Sequence, residues 1–335
     1  MNAEKTGSQQ NILRWEVIKN ILGNYGIIFV LIALIVMFSL MSDRFLLPSN
    51  IFNVLRQISI IGIISVGMTF VMLTGGIDLS CGSVAGFAGV GAALLMTGAV
   101  GTEMHPALAS VLVCLGGLLL GLLNGAFIHW LKVPPFIATL GMMTSVRGIA
   151  YIITGGLPVF GFNPDFIKLG QGYLGVIPIP VLIMAAVFIF GAIFLTTTAA
   201  GRHIYGIGGN EEASRLSGVN IRNIKLLVYG IAGFMSALAG IVLLARVNSG
   251  QPNAGTGYEL DVVTAVVLGG VRMTGGQGRI YMVIVGVLIM GVMTNGMTML
   301  AINEYVQRVV KGLVLIAAIA FDKFLNEQRA KKAVG

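Results

Sequence analysis

The chain has 335 residues, 56% of them hydrophobic and 10% charged, with a formal net charge of +8 and a mean hydropathy of +0.92. Soluble domains carry roughly 45–50% apolar and about 25% charged residues, so the composition excludes an ordinary water-soluble fold and makes the bilayer the solvent. The bases are scattered singly along the chain instead of forming a patch, which argues against a nucleic-acid surface.

Residues 1–24 are polar, with Lys5, Arg14 and Lys19, and read as a cytoplasmic N-terminal segment. No small-residue cleavage site follows the first apolar run, which argues against a removed signal peptide. Trp15 with Ile12, Leu13, Val17 and Ile18 outlines either a short interfacial helix or a frayed tail. Apolar runs then fall at 25–41, 51–73, 79–99, 107–131, 134–154, 176–197, 224–246, 259–270, 280–301 and 305–321. A spanning helix uses about 20 apolar residues, so ten spans are predicted, the eighth too short to cross unaided. The expected fold is an all-α integral membrane protein with a transmembrane domain at 25–321, a cytoplasmic loop at 199–223 and a cytoplasmic tail at 322–335. With the N-terminus inside, fourteen of the twenty-one Lys and Arg residues fall on the cytoplasmic side, as the positive-inside rule requires, and both termini are cytoplasmic.

Thr74-Gly-Gly-Ile-Asp-Leu-Ser80 and Gly255-Thr-Gly-Tyr-Glu-Leu-Asp261 interrupt the spans. Such backbone is tolerated at membrane depth only where protein or a water-filled cavity satisfies it, so both segments belong inside the bundle near a pathway. They also correspond to each other. Gly121-Leu-Leu-Asn-Gly125 resembles Gly291-Val-Met-Thr-Asn-Gly296, and Arg147-Gly148-Ile149 resembles Lys311-Gly312-Leu313. Spans two to five then repeat as spans seven to ten, and the odd offset inverts one unit relative to the other.

Ionisable groups inside a membrane are costly and mark functional candidates. Asp78 either lines a pathway or caps a helix starting at Leu79, and Glu259 and Asp261 carry the same two readings at the start of span eight. Arg147 and Lys311 either snorkel to the outer surface or pair with those carboxylates and support a gate. Asn124 and Asn295 suit interhelical hydrogen bonds or a substrate hydroxyl, while Gly117, Gly121 and Gly125 form a ridge for close helix approach. His105, His129 and His203 lack metal-ligand spacing, and Cys81 and Cys114 are set deep in apolar sequence as packing residues. Neither a metal site nor a cofactor is predicted. No nucleophile–base pair emerges, and Gly275-Gly-Gln-Gly278 lacks the Lys and Ser/Thr of a phosphate-binding loop, so no catalytic residue is assigned.

In the 199–223 loop, Asn210 is a good N-cap, Glu211 and Glu212 complement the helix dipole, and Gly218 is placed to end a helix of about two turns. So short a helix is marginal alone in water, so it is either an ordinary capped loop or an element that a partner holds. Here the residues carry a resemblance: Gly201 to Gly218 resembles the coupling loop of the ribose/arabinose-type permeases of bacterial ABC monosaccharide importers. Gly75-Gly-Ile-Asp-Leu-Ser80, Pro134-Pro-Phe-Ile-Ala-Thr-Leu140, Ser249-Gly-Gln-Pro252, Gly257-Tyr-Glu-Leu-Asp261, Val267-Leu-Gly-Gly270 and Gly275-Gly-Gln-Gly278 resemble further signatures of that family, in its order and spacing from about residue 45 to 323. Cys81 stands where the family more often has an aliphatic residue, and Arg272-Met273 replaces a small-then-aliphatic pair, which leaves the sugar open.

The resemblance implies a non-enzymatic permease of the bacterial inner membrane, paired with a second copy or a related permease. It would dock on a two-domain cytoplasmic ABC ATPase and receive a monosaccharide from an extracytoplasmic binding protein. Asn210, Glu211, Glu212, Ala213, Arg215, Leu216, Ser217 and Gly218 would then form the ATPase-coupling helix. The alternative is an ion-coupled secondary transporter or channel for a small neutral polar solute.

Overall fold

The computed structural model describes residues 26–99, 101 and 103–334, without the side chains of 322 and 325–334; the predicted segment 1–24, with its interfacial helix, lies outside the described residues. Each predicted apolar run coincides with a helix: α1 (Gly26–Met41), α2 (Pro48–Leu73), α3 (Cys81–Met96), α4 (Pro106–Trp130), α5 (Pro135–Thr154), α7 (Ile179–Thr197), α10 (Ile221–Val247), α11 (Tyr258–Leu268), α12 (Ile280–Met299) and α13 (Glu304–Val334). Six of them, α2, α4, α5, α7, α10 and α12, are long and apolar enough to cross a membrane. Proline opens α2, α4 and α5, where its fixed φ is pre-organised and its missing N–H would have no intrahelical partner anyway.

Three segments carry more structure than the sequence reading gave them. The stretch between α5 and α7 holds a short helix, α6 (Pro164–Gln171), and a small antiparallel hairpin of β1 (Tyr173–Leu174) and β2 (Ile177–Pro178), a detail on an otherwise all-helical fold. The 199–223 loop contains two helices, α8 (Ala199–Gly209) and α9 (Glu211–Leu216). The segment predicted as a tail from 322 continues α13 to Val334.

Burial orders the bundle. In the apolar stretches of α2 and α10, 83% and 72% of residues are buried, against 28% in α5 and 33% in α7, so α2 and α10 form the centre. Small residues permit their closeness. A Cβ built on Gly117 of α4 would lie 2.6 Å from the Gly233 carbonyl of α10, and one on Gly67 of α2 would lie 2.7 Å from the Ala232 backbone. α4 packs along α10 and α12 along α2; α3 packs on α10 and α11 on α2; α5 packs on α3 and α13 on α11. At the end of the bundle away from α9, Val159 and Gly250 exchange two backbone hydrogen bonds of 2.9 and 2.8 Å.

Candidate gate and coupling segment

The turn between α2 and α3 is built on a carboxylate. Asp78 is buried, and its Oδ1 accepts from the Ser80 backbone N–H at 2.9 Å and the Ser80 hydroxyl at 2.5 Å. α3 begins at Cys81, two residues beyond the expected start at Leu79, and the carboxylate accepts from the backbone just ahead of it, as Asp does in tight turns and at helix starts. Asn124 of α4 donates to the Ser80 hydroxyl at 3.0 Å, and Tyr229 of α10 donates to the Ile77 carbonyl at 3.4 Å. This polar chain ties the start of α3 to two neighbouring helices, while Asn124 Oδ1 has no hydrogen-bond partner among the described residues.

A second cluster surrounds the start of α11. Arg147 reaches from α5 across α3 and donates to the carbonyls of Pro252 (2.9 Å) and Ala254 (2.5 Å). The glycines of α3 make room: a Cβ on Gly86 would lie 3.0 Å from the guanidinium, and one on Gly82 would lie 2.6 Å from the Glu259 carboxylate. Glu259 accepts from the Gly257 N–H at 3.2 Å with one oxygen, while the other has no partner among the described residues. Lys311 of α13 meets Asp261 at 2.8 Å, with side-chain exposures of 21% and 16%. The two bases singled out together in the sequence are thus used differently: Lys311 bonds a carboxylate and Arg147 bonds loop carbonyls. Beside the Lys311–Asp261 pair, a cavity of about 90 Å³ is lined by Gln57, Tyr258 and Thr294. Asn295 lies apart from both clusters and exchanges two hydrogen bonds of 2.9 Å with Asn50 of α2.

At the end of the bundle where α2 stops, α9 stands clear of the core with no buried residue. Asn210 Oδ1 accepts from the Ala213 N–H at 2.9 Å, and Gly218 takes φ +84° just past the helix, a left-handed conformation that glycine adopts without penalty. Glu212 pairs with Arg215 at 2.6 Å, which holds its carboxyl below the usual range. Glu211 bonds Lys225 of α10 at 2.8 Å, anchoring α9 to a central helix. Leu216 is 77% exposed. Between α9 and the Pro134-Pro135 turn lies a cleft of about 490 Å³ lined by Gly75, Gly76, His129, Lys132 and Tyr229.

Sequence reasoning missed Asn50, Tyr229 and the whole of α8. Tyr229 carried a signal, a hydroxyl in the middle of an apolar run, where a buried phenol needs a partner. Among the described residues, no group of three or more His, Cys, Asp or Glu gathers as a metal site.

An apolar helical bundle with ionisable groups locked between its helices, and a charged helical segment at one end, defines a multi-pass membrane transport protein. Residues 50–319 match the family described as "Branched-chain amino acid transport system / permease component". The chain is 41% identical over 325 residues to the ribose import permease protein RbsC of Bacillus subtilis (strain 168), covering 96% of this chain and 99% of that one. It is 38% identical over 310 residues to the L-arabinose transport system permease protein AraH of Escherichia coli (strain K12), with 92% and 93% covered. It is 36% identical over 304 residues to the D-allose transport system permease protein AlsC of the same strain, with 90% and 92% covered. No solved structure matches. The chain belongs to this permease family, among the ribose/arabinose-type permeases of ABC sugar importers.

Proposed function

We propose that this chain is the translocating subunit of an ABC importer for a monosaccharide, a pentose or hexose delivered by an extracytoplasmic binding protein and driven by a separate two-domain ATPase. The observation that carries the reading is near-full-length similarity to ribose, arabinose and allose permeases. The family description names branched-chain amino acids; relatives matched over about nine-tenths of the chain or more weigh further than a description covering many subfamilies. A neutral polyhydroxy cargo is compatible with the interior, where Asp78, Arg147, Asp261 and Lys311 are each bonded to other protein groups.

On this reading the chain has ten spans, both termini are cytoplasmic, and α2–α5 and α10–α13 are inverted repeats. Support comes from packing: exchanging α2 with α10, α3 with α11, α4 with α12 and α5 with α13 returns the same set of neighbours. The helix from Asn210 to Ser217 docks on the ATPase, with the exposed Leu216 as its apolar knob and the Glu211–Lys225 pair as its tie to α10. Asp78, Asn124, Arg147, Glu259, Asp261, Asn295 and Lys311 hold the gate by bracing the α2–α3 turn and the α10–α11 loop. A second copy, or a related permease, completes the pathway.

The test is reconstitution in liposomes with labelled ribose, arabinose and allose. The permease alone gives no concentrative uptake, and adding ATPase, binding protein and ATP restores it for one of the three. Buried carboxylates favour a second reading, an ion-coupled transporter. Accumulation by the lone chain that collapses with the proton or sodium gradient would establish that reading instead.

A further inference from the structure

Three glycine pairs from separate parts of the chain meet where α8 enters the bundle: Gly75-Gly76 after α2, Gly208-Gly209 at the end of α8, and Gly275-Gly276 after α11. A Cβ on Gly275 would lie 2.7 Å from the Gly75 nitrogen and 2.9 Å from the Gly208 Cα, and one on Gly276 would lie 2.7 Å from the Gly209 nitrogen. No side chain fits between these backbones. Gly275 and Gly276 also take φ +86° and +72°, a region that L side chains rarely adopt. Two hydrogen bonds fix the arrangement: the Gly276 N–H donates to the Leu73 carbonyl at 2.9 Å, and the Tyr205 hydroxyl of α8 donates to the Gly278 carbonyl at 3.0 Å.

The end of α8 therefore lies, backbone on backbone, against both the turn that follows α2 and the loop that follows α11, and α9 follows it directly. We propose that this glycine junction is the mechanical joint through which displacement of the α8–α9 segment moves the α2–α3 turn and the α11–α12 loop together, with Gly208, Gly275, Gly276 and Tyr205 as positioning residues for transport. Bare backbones have no interdigitating side chains, so they can slide past one another, whereas packed side chains resist continuous deformation. The proposal rests on the importer reading.

Neighbouring glycines supply the internal control. A Cβ on Gly208 collides with the backbones of Leu73 and Gly276, whereas one on Gly209 meets nothing within 4 Å. In the complete importer, reconstituted with ATPase and binding protein, Gly208→Ala is expected to lower sugar taken up per ATP hydrolysed by about tenfold, the size of an ordinary coupling effect. Gly209→Ala is expected to behave as wild type. A merely structural role lowers hydrolysis and uptake together. Should Gly208→Ala fail to assemble, Tyr205→Phe, which removes one hydroxyl and no volume, is expected to lower the same ratio. Unchanged coupling in both Gly208→Ala and Tyr205→Phe, parallel loss of hydrolysis and uptake, or equal effects at 208 and 209 would overturn the joint. A wild-type complex that accumulates no sugar would overturn the importer reading first and this proposal with it.

Discussion

Lys311 and Asp261 show how a buried pair differs from a surface one. At 2.8 Å and largely shielded, each compensates the other's lost hydration, so removing one partner leaves an unpaired charge, at a cost of about 3–5 kcal/mol. Lys311→Met is therefore expected to lower the thermal midpoint of the protein in detergent, and Lys311→Met with Asp261→Asn to recover most of it. Uptake that stays low in the restored double variant marks the pair as part of the gate; normal uptake marks it as packing. The Asn50–Asn295 exchange follows the same rule at smaller scale. Asn295→Ala strands a buried amide at about 1–3 kcal/mol, and Asn50→Ala in that background is expected to add little, a non-additivity that a double-mutant cycle reads directly. Asn295 itself was visible in the sequence as an amide in an apolar run. Its partner was not, because 245 residues separate the two and nothing local to Asn50 distinguishes it from a turn residue.

Among elements, α9 was legible and α8 was not, for one reason. Asn210, Glu211, Glu212 and Gly218 spell a cap, a dipole complement and a stop, whereas α8 carries four glycines in eleven residues, each lowering helix propensity by about 1 kcal/mol relative to Ala. Burial of Ile204 and Ile207 against the bundle overrides that deficit, and tertiary packing cannot be read from one segment. The hairpin at Tyr173–Pro178 escaped for a similar reason, its strands being two residues each. For α9, Leu216→Asp is expected to weaken binding of the ATPase about 30-fold or more, as loss of a hot-spot residue does, while leaving membrane insertion intact; a pull-down with purified ATPase measures it. The Glu212–Arg215 pair adds a pH dependence of known sign. Because the carboxyl titrates below its ordinary value, its contribution to α9 is present above about pH 4 to 5 and is lost as acidification passes the lowered value. The pair therefore stays formed across the neutral range, and wild type and Glu212→Gln are expected to show equally flat pH dependence there, as uptake rates across a neutral pH series would record.

At the scale of the whole molecule, the helices over the apolar runs were legible because an apolar run surrounded by lipid must form a helix to satisfy its backbone. Their packing order was legible only in part: the Gly117, Gly121 and Gly125 ridge announced a close neighbour without naming α10. Orientation is open to a direct measurement. Cys81 and Cys114 are both buried, so a thiol introduced by Ser217→Cys offers a reactive group against a low background. It is expected to resist membrane-impermeant reagents in intact cells and to react in inverted vesicles.

The two extremities of the bundle are fastened by different means. At one, the Val159–Gly250 bridge, the Arg147 bonds to Pro252 and Ala254, and the Gln171 amide on the Arg246 carbonyl at 2.9 Å fix the loops through several polar bonds; at the other, closely set glycine backbones are crossed by two, from the Gly276 N–H to the Leu73 carbonyl and from the Tyr205 hydroxyl to the Gly278 carbonyl. Movement at the glycine end opens the bond to Leu73, so the Gly250 amide is expected to exchange with solvent deuterium more slowly than that of Gly276.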